Sequence, residues 1–481
     1  MDEFDIVIGL EVHVQLKTKS KIFCSCSTEF ESPPNTNICP VCCGYPGVLP
    51  VFNQKALELG VRVARGLGCE INPQIYFERK SYFYPDLPKN YQISQYKMPL
   101  GENGWLTLPS GKRIGIGRVH LEEDAGKLVH KKDYSLVDLN RTGIPLLEIV
   151  SKPDINSADE AFDYLTYLKL ALQYIEASDC DMEKGILRCD ANISLKKKGT
   201  QALGVKVELK NMNSFRGVRD ALDYEAKRQA KTLEKSEKIT QETRLWDETK
   251  RKTMVMRSKE EAHDYRYFPE PDLRKFSISL ECKKIQENFL SKIEMPLKKR
   301  EKFTKMYGLS AKDTDVLISD MWLANFFEEA TTTFSDYKKM CGWLLGPFLE
   351  QVNALGASSG EVKISPANFA KVVKYFAEGK LNNLAAKKVL SLCVSTNKDI
   401  DRVIEEEGLV QVSGHQELQR FIEEALSQNP KPVQEYLGGK QQAIQFLVGQ
   451  VMRKTQGKAN PKVVRELLEE SLKKHKGESS E

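Results

Sequence analysis

The N-terminal segment alternates apolar and polar side chains with the period of a β-strand. Between residues 9 and 16 the apolar positions are Leu10, Val12, Val14 and Leu16, and the polar positions are Glu11, His13 and Gln15. Because successive side chains of a strand point to opposite faces, this pattern predicts a strand with one apolar and one polar face. Glu11 and His13 would lie roughly 6.5–7 Å apart on the polar face, where they can converge on a cation or a proton. A half-solvated antiparallel strand without chemistry is the alternative.

Periodicity predicts the other elements in the same way. Strands are expected over 5–16, 112–121, 187–195 and 205–210, and helices over 53–67, 157–176 and 219–235. A helical stretch over 287–307 is interrupted by Pro296. Beyond residue 311 the pattern is helical only, over 317–331, 337–355, 365–378, 381–392, 416–427, 433–437, 441–455 and 462–476.

Strands and helices do not alternate regularly in the first half, which favours an α+β sheet domain over a doubly wound one. We expect a sheet domain over 1–290, a helical domain over 291–410 and a helical tail domain over 411–476. Breaks near Pro366 and near 412–414 would divide the helical half. Residues 477–481 should be disordered.

Composition and charge narrow the class of protein. Of the 481 residues, 41% are hydrophobic and 29% are charged, as in a folded globular protein. No apolar run is long enough to cross a bilayer. The acidic start, Met1 to Asp5, is unlike a basic leader and predicts a cytoplasmic protein. A net charge of +5 is compatible with nucleic-acid binding without requiring it.

Four of the eleven cysteines are grouped in two pairs, Cys24 with Cys26 and Cys39 with Cys42. Thiolates at this spacing suit tetrahedral Zn²⁺, which would hold an irregular loop with little core of its own. Cys43 could replace Cys42 as the fourth ligand, and free cysteines are the alternative. A closed site of four sulfurs has no open coordination position, so its role would be structural.

Further segments place acidic and basic groups on strands of the same domain. They contain Glu123 beside His120, Glu148 in an apolar run, Asp190 with Asn192, and Lys206 with Glu208 and Lys210. Carboxylates, an imidazole and several cations on separate strands suit magnesium–nucleotide chemistry, although a solvated charged face explains each segment alone. No P-loop or Rossmann glycine motif is present, so the nucleotide would lie on an open sheet.

Two more segments combine cations with features of RNA or nucleotide binding. Arg79, Lys80 and Tyr82 begin a loop rich in aromatic residues and prolines, which can stack on a base or form part of the core. Near the C-terminus, a basic stripe on small helices could contact an RNA backbone or simply be solvated. Its residues are Lys440, Arg453, Lys454 and Lys458.

Together these motifs resemble a known family from end to end. The matching segments are IGLEVHV (8–14), YFYPDLPK (82–89), HLEEDAGK (120–127), LRCDANIS (187–194), ELKN (208–211), DYRYFPEPD (264–272) and FLVGQ (446–450). The chain resembles the B subunits of the aspartyl/glutamyl-tRNA(Asn/Gln) amidotransferases. The resemblance implies a cradle-shaped sheet domain similar to glutamine synthetase and guanido kinases, followed by a helical domain and a small helical tail domain.

The resemblance also implies an activity. Proteins of this family use Mg-ATP to phosphorylate the side-chain carboxylate of Glu-tRNA(Gln) or Asp-tRNA(Asn), and ammonia then displaces phosphate to give the amide. An amidase, the A subunit, supplies ammonia from glutamine, and a small C subunit completes the heterotrimer. The cysteine quartet resembles a feature that only some members keep.

On this basis we assign candidate residues to roles. Glu11, His13, Glu123 and Glu148 are expected to be magnesium ligands or their supports, and Asp190 joins them as a catalytic residue. ATP and substrate contacts are expected from Arg79, Lys80, Tyr82, Asn192, Lys206, Glu208 and Lys210.

Three alternatives remain at the level of sequence. The archaeal-type E form of the protein would carry a large extra domain, for which the spacing after Pro271 leaves no room. A non-catalytic tRNA-binding scaffold of the same complex would consume no ATP. A free-standing carboxylate–amine ligase would act without other subunits.

Overall fold

The computed structural model describes residues 3–258, 265–356, 361–396, 398–409, 415–455 and 459–478. The chain divides into two compact units, Met1–Lys298 and Lys299–Glu481. The first unit contains both strands and helices, whereas the described part of the second is helical. This agrees with the predicted α+β class and with the absence of strand patterns beyond residue 311.

The strands of the first unit differ greatly in length. They are β1 Phe4–Gln15, β2 Glu70–Ile71, β3 Gln74–Ile75, β4 Glu78–Ser81, β5 Tyr91–Ser94, β6 Gly101–Thr107, β7 Arg113–Glu123, β8 Lys127–His130, β9 Ser135–Asp138, β10 Pro145–Ser151, β11 Leu187–Lys197, β12 Val207–Lys210, β13 Glu242–Asp247, β14 Lys252–Ser258, β15 Phe268–Pro269 and β16 Phe276–Ser277. Nine of them form one sheet in the order β14-β13-β12-β11-β1-β10-β7-β6-β2. Its pairs are antiparallel except for β12 with β13. The predicted strand at the N-terminus is therefore confirmed, and it lies at the centre of the sheet.

Helices cover the apolar face of this sheet. Those of the first unit are α1 Gln54–Gly66, α2 Ala158–Tyr174, α3 Phe215–Glu234 and α4 Leu280–Leu290. The even-numbered side chains of β1 from Ile8 to Val14 are fully buried in one core with side chains of α1, α2 and α3. Each such side chain contributes about 1.5–3 kcal/mol by leaving water. The opposite face of the sheet is left for polar groups.

Helix starts follow their capping residues. The side chain of Asn53 accepts hydrogen bonds from the first turn of α1, and Ser157 does the same for α2. Ser214 caps α3, which therefore begins before the predicted start at residue 219. The predicted positions of α1 and α2 are confirmed to within two residues.

The remaining helices lie between residues 296 and 478. They are α5 Pro296–Glu301, α6 Ala311–Ile318, α7 Met321–Thr333, α8 Tyr337–Trp343, α9 Leu349–Ala354, α10 Pro366–Ala377, α11 Asn383–Val394, α12 Ile400–Glu406, α13 His415–Gln428, α14 Pro430–Leu437, α15 Ala443–Lys454 and α16 Pro461–Glu478. Single π-helical turns occupy Lys302–Met306 and Leu344–Phe348. Side chains from α13, α15 and α16 form a separate apolar core.

The interruption expected at Pro296 in the stretch 287–307 is confirmed, because α4 ends at Leu290 and α5 begins at Pro296. Two helical predictions for this half were wrong in detail. The stretch 317–331 is two helices, since Asp320 caps α7. The stretch 337–355 contains a π-helical turn at Pro347, whose ring nitrogen cannot donate a hydrogen bond. Helix α12 was missed.

The three-domain division remains a prediction. The segment 412–414, where a boundary was expected, lies outside the described residues. Helix α16 continues to Glu478, two residues into the segment expected to be disordered, and residues 479–481 are not described. Among the described helices, none combines the length and apolar character needed to cross a bilayer.

Candidate functional site

Strand register gathers titratable groups on the polar face of the large sheet. His13 on β1 lies directly opposite Glu148 on β10, which in turn lies opposite His120 on β7. On the other side of β1, Glu11 lies opposite Asp190 on β11. Residues directly opposite in antiparallel strands have neighbouring side chains. Groups more than a hundred residues apart in sequence thus form one cluster.

Glu122, which lies two residues after His120 on β7, is close enough to His13 and Glu148 for the three to share a cation. The Nε2 atom of His13 lies 3.3 Å from Oε2 of Glu148 and 3.7 Å from Oε1 of Glu122. One donor atom from each residue lies within 4.8 Å of the other two. Glu122 and Glu148 are buried, and His13 is half-buried. Buried carboxylates this close repel each other unless a positive charge stabilises them.

His120 is the second imidazole of this cluster. Its Nε2 atom lies 3.2 Å from Glu148 and 3.8 Å from Glu122. Burial alone would lower the pKa of His120, but the adjacent Glu148 and Glu122 outweigh it and raise this pKa to about 9. Burial likewise acts to raise the pKa of Glu148, and His120 and His13 reverse this and hold it below its usual range. The two carboxylates therefore favour the protonated form of each imidazole.

A second group of charges borders the same cavity. Lys210 on β12 forms ion pairs with Asp190 and, at 3.2 Å, with Oε1 of Glu208. The hydroxyl of Thr243 donates to Oε2 of Glu208 at 2.7 Å. Nearby, Nδ2 of Asn192 donates to Oε1 of Glu11 at 3.0 Å. These contacts hold the cation and the three acidic groups in the lining of the cavity.

The cavity itself has a volume of about 310 Å³. Besides acidic and histidine side chains, its lining includes Lys80, Tyr265 and Tyr267. The Nζ atom of Lys80 lies 4.8 Å from the ring centre of Tyr265. Burial acts to lower the pKa of Lys80, yet Glu122 and the surrounding tyrosines keep it above its usual value. The cavity therefore has a cationic and aromatic part, formed by Lys80, Tyr265 and Tyr267, and an acidic part, formed by side chains of the large sheet.

Most residues assigned from the sequence meet at this cavity. Its lining includes Glu11, His13, Lys80, Glu148, Asp190, Glu208 and Lys210. Asn192 contacts it through Glu11. Tyr82 is not among the lining residues, but its ring centre lies 5.9 Å from that of Tyr265, which is. Lys206 is exposed just before β12 and is not among the lining residues.

The structure does not bring Glu123 into the cluster. Its carboxylate is buried, forms an ion pair with Lys89 and accepts a hydrogen bond from the backbone N of Ile93 at 2.8 Å. Glu122, its neighbour, takes the position expected for Glu123. Side chains two residues apart on a strand lie on the same face, so Glu122 shares a face with His120 and Glu123 does not. The sequence therefore contained the pattern that identifies Glu122 as the member of the cluster.

Arg79 is also absent from the lining of the cavity that holds the His13 cluster. It forms a bidentate ion pair with Glu270, at 2.7 and 2.9 Å. Together with Lys89 and Glu123 it lines a second cavity of about 250 Å³. The expected phosphate contact from Arg79 therefore has no support from its position.

Asp124, just after β7, forms hydrogen bonds, not predicted from the sequence, with side chains of two other strands. Both oxygens of Asp124 accept hydrogen bonds at 2.8 Å, one from Gln15 and the other from Arg188. Gln15 and Arg188 belong to β1 and β11, so Asp124 ties three strands together at one end of the polar face. This contact helps to fix the position of β1 beside the cavity.

The four paired cysteines form a separate cluster. One sulfur from each of Cys24, Cys26, Cys39 and Cys42 lies within 4.8 Å of the others. Cys43 is not part of this set. A hydrogen bond from Cys24 lowers the pKa of Cys42 and so favours its thiolate, the form that binds zinc. Four sulfurs in this arrangement fit a tetrahedral zinc ion.

Lys21 supports this cysteine cluster from inside the protein. Its side chain is fully buried, and Nζ lies 3.6 Å from the sulfur of Cys42 and 3.3 Å from the carbonyl oxygen of Leu139. A buried ammonium group needs a compensating charge. The thiolate of Cys42 provides it.

The basic residues near the C-terminus are partly engaged with acidic neighbours. Lys454 lies 3.0 Å from Glu424, and Lys440 lies 3.9 Å from Glu435. Arg453 is exposed. Lys458 lies outside the described residues. Their predicted RNA contacts remain predictions.

Comparison with known proteins covers nearly the whole chain. The family model of the GatB/GatE catalytic domain matches residues 6–284, and that of the GatB domain matches residues 325–472. These two matches fall in the sheet unit and in the helical unit, respectively.

Similar full-length relatives come from several bacteria. A protein of Carboxydothermus hydrogenoformans is 48% identical over 482 residues, covering 98% of this chain and 100% of the relative. A protein of Thermoanaerobacter pseudethanolicus is 48% identical, with 98% and 100% coverage, and one of Brevibacillus brevis is 47% identical, with 98% and 99% coverage. All three are named as the B subunit of an aspartyl/glutamyl-tRNA(Asn/Gln) amidotransferase. The chain therefore belongs to the family of aspartyl/glutamyl-tRNA(Asn/Gln) amidotransferase B subunits.

Proposed function

We propose that this chain activates the side-chain carboxylate of Glu-tRNA(Gln), Asp-tRNA(Asn) or both with ATP, as a step of glutamine-dependent amidation. The observation that carries the proposal is the convergence of His13, Glu122 and Glu148 beside Lys80 and Lys210 in one cavity. Acidic groups that can hold a divalent ion, next to cations that can hold phosphate, are what phosphoryl transfer from ATP requires.

The donor set fits a divalent cation. Glu122 and Glu148 offer carboxylate oxygens, which Mg²⁺ prefers, and His13 offers one imidazole nitrogen. The buried Oδ1 of Asn192 has no hydrogen-bond partner in the described part of the chain and offers a further oxygen beside Glu11. We therefore propose Glu122 instead of Glu123 as a ligand, with Glu11 and Asp190 as supports. A bound magnesium ion would shield the charge of the ATP phosphates and polarise the transferred group.

The chain's own cations would act on the phosphate oxygens. Lys210 is held by Asp190 and Glu208, so its ammonium group is oriented before the nucleotide arrives. Lys80 also lines the cavity, where its ammonium group lies against Tyr265. Preorganised positive charge stabilises the negative charge that spreads over the oxygens of the transferred phosphoryl group.

The reaction follows the family's chemistry. An oxygen of the substrate carboxylate attacks the γ-phosphorus of ATP, the bond to ADP breaks, and an acyl phosphate forms. Ammonia then attacks the acyl carbon, loses a proton, and phosphate leaves with the electrons of the C–O bond. The phosphate makes the carboxylate oxygen a good leaving group, and the product is Gln-tRNA(Gln) or Asn-tRNA(Asn).

The remaining features are assigned to assembly and architecture. We propose that the sheet unit has the cradle-shaped fold of glutamine synthetase and guanido kinases, and that Zn²⁺ on Cys24, Cys26, Cys39 and Cys42 is structural.

The amidase (A) and the small C subunit of the heterotrimer are the proposed partners, with the amidase supplying ammonia. The C-terminal helices are proposed to contact tRNA through Lys440, Arg453, Lys454 and Lys458. The cytoplasm, where aminoacylated tRNA is used, is the proposed location.

The proposal is tested by ATP consumption in the complex reconstituted with its partner subunits. With mischarged Glu-tRNA(Gln) and ATP labelled with ³²P at the γ-position, we expect phosphate release that depends on the mischarged tRNA and is lost in Glu148→Gln. Glutamine hydrolysis measured in the same preparation reports whether the complex is intact. Amidation without ATP consumption would reject the proposal and favour the non-catalytic scaffold.

A further inference from the structure

A two-stranded hairpin lies in the connection between two strands that contribute side chains to the cavity. It consists of β8 and β9, Lys127–His130 and Ser135–Asp138, and lies in the connection from β7 to β10. Those two strands carry Glu122 and Glu148 of the cluster. Only three residues separate the end of β7 at Glu123 from the start of β8 at Lys127. The hairpin therefore projects from the end of the sheet at which Glu122 lies.

The hairpin presents an exposed and positively charged surface. From Lys127 to Leu136 each residue is exposed except Leu128, which is half-buried. The charged residues of this stretch are Lys127, Lys131, Lys132 and Asp133, so cations exceed carboxylates by two. Within the described chain, none of the three lysines forms an ion pair with a carboxylate. Unpaired cations of this kind are available to an anionic partner.

One face of the hairpin adds aromatic and apolar groups to these cations. Val129 lies opposite Leu136, and by strand alternation Lys131 and Tyr134 lie on the same face. Tyr134 is 62% exposed. Lysines around an exposed aromatic ring suit an RNA strand, because the ring can stack on a base or ribose while the ammonium groups contact phosphate.

The base of the hairpin is fixed by its neighbours. The side chain of Asn35 donates to the carbonyl of Val137 at 2.9 Å and accepts from the backbone N of Leu139 at 2.8 Å. On the other side, the backbone N of Gly126 donates to the carbonyl of Asp86 at 2.9 Å. These contacts hold both ends of the hairpin, so its surface is organised before a partner binds.

We propose that the β8–β9 hairpin binds the phosphate backbone of the acceptor arm of the tRNA substrate. This inference rests on the proposed function in one respect, which is that the reacting carboxylate is attached to tRNA. The aminoacyl end must enter the cavity at Glu122 and Glu148, so the RNA behind it must pass surfaces near this end of the sheet. The hairpin begins five residues after Glu122, a stretch of chain that spans at most about 18 Å, and its charge is complementary to phosphate.

The test uses the assembled amidotransferase and binding of Glu-tRNA(Gln), without ATP or glutamine. The hairpin variant is Lys131→Glu/Lys132→Glu. The matched control, Lys197→Glu/Lys198→Glu, makes the same charge change on two exposed lysines at the far end of β11. Lys197 is seven residues from Asp190 on that strand, or about 23 Å. Binding is measured by fluorescence anisotropy at several salt concentrations.

We expect the hairpin variant to bind tRNA about tenfold or more weakly, and its salt dependence to fall by roughly one to two in log–log slope. The control should bind within twofold of the wild type. Equal affinities of the hairpin variant and the control would overturn the proposal. Loss of the partner subunits from the hairpin variant during purification would also overturn it, because the surface would then be a protein interface. Binding is read without ATP, so a failure of the proposed phosphoryl transfer would not affect this result.

Discussion

His13 and Glu148 lie directly opposite each other on neighbouring antiparallel strands, and Nε2 of His13 is 3.3 Å from Oε2 of Glu148. Hydrogen bonding of β1 to β10 sets this distance, so the pair does not depend on a mobile loop. Side chains mounted on central strands keep their geometry better than side chains on loops. The proposed metal site is thus built into the sheet.

Glu122 should be essential for the ATP-dependent step. Glu122→Gln removes one charge from the cluster while it keeps the size of the side chain. We expect ATP-dependent amidation to fall about a hundredfold or more, since a bound metal ion contributes several kcal/mol. The assay is steady-state amidation of Glu-tRNA(Gln), with glutamine hydrolysis as the control for assembly. Near-normal amidation would remove Glu122 from the proposed ligand set.

The buried ion pair of Lys89 and Glu123 should support stability. Both side chains are at least nine-tenths buried, and their carboxylate–ammonium contact is direct. Lys89→Met leaves the carboxylate without its partner, which typically costs about 3–5 kcal/mol of unfolding free energy. The double variant Lys89→Met/Glu123→Leu should recover most of this loss. Urea unfolding measures both, and a single variant as stable as the wild type would contradict the expectation.

The zinc content of cysteine variants should show whether Cys42 or Cys43 is the fourth ligand. The sulfur of Cys42 lies with those of Cys24, Cys26 and Cys39, whereas Cys43 is outside this set. We expect about one zinc per chain in the wild type and in Cys43→Ser, and almost none in Cys42→Ser. Elemental analysis of the purified proteins decides this. Zinc loss in Cys43→Ser with retention in Cys42→Ser would reverse the assignment.

Thr243 should position the proposed nucleotide contacts through Glu208. Its hydroxyl donates to Glu208, which contacts Lys210 through the other carboxylate oxygen. Thr243→Val removes one hydrogen bond worth about 1 kcal/mol, so the KM for ATP should rise roughly fivefold. Thr243→Ser keeps the hydroxyl and should restore the wild-type KM. An equal rise in both variants would indicate loss of packing instead of loss of the hydrogen bond.

Part of the fold and site followed from local patterns. Alternation within residues 9–16 is sufficient to place Glu11 and His13 on one face, because the period of a strand is a local property. Capping residues fixed the starts of α1 and α2 for the same reason. The cysteine spacing indicated the cluster, although it left Cys42 and Cys43 as alternatives.

The rest depended on contacts between distant segments. Only the register of β7 against β10 places His120 opposite Glu148, with Glu122 one pair along on the same face, opposite Leu146. Glu123 is adjacent in sequence to Glu122, yet its carboxylate is taken by Lys89 from another loop. Arg79 is similarly engaged by Glu270. Tertiary structure determines which charged residues pair, so these ion pairs cannot be predicted from the charge pattern of a single segment.

Metal binding tests the central claim most directly. Mn²⁺, as a paramagnetic substitute for Mg²⁺, can be titrated into the wild type, Glu148→Gln and Glu123→Gln and followed by electron paramagnetic resonance, below the melting temperature of each variant. The account predicts saturable binding in the wild type and in Glu123→Gln, and at least about tenfold weaker binding in Glu148→Gln. Unchanged binding in Glu148→Gln, together with loss in Glu123→Gln, would contradict it.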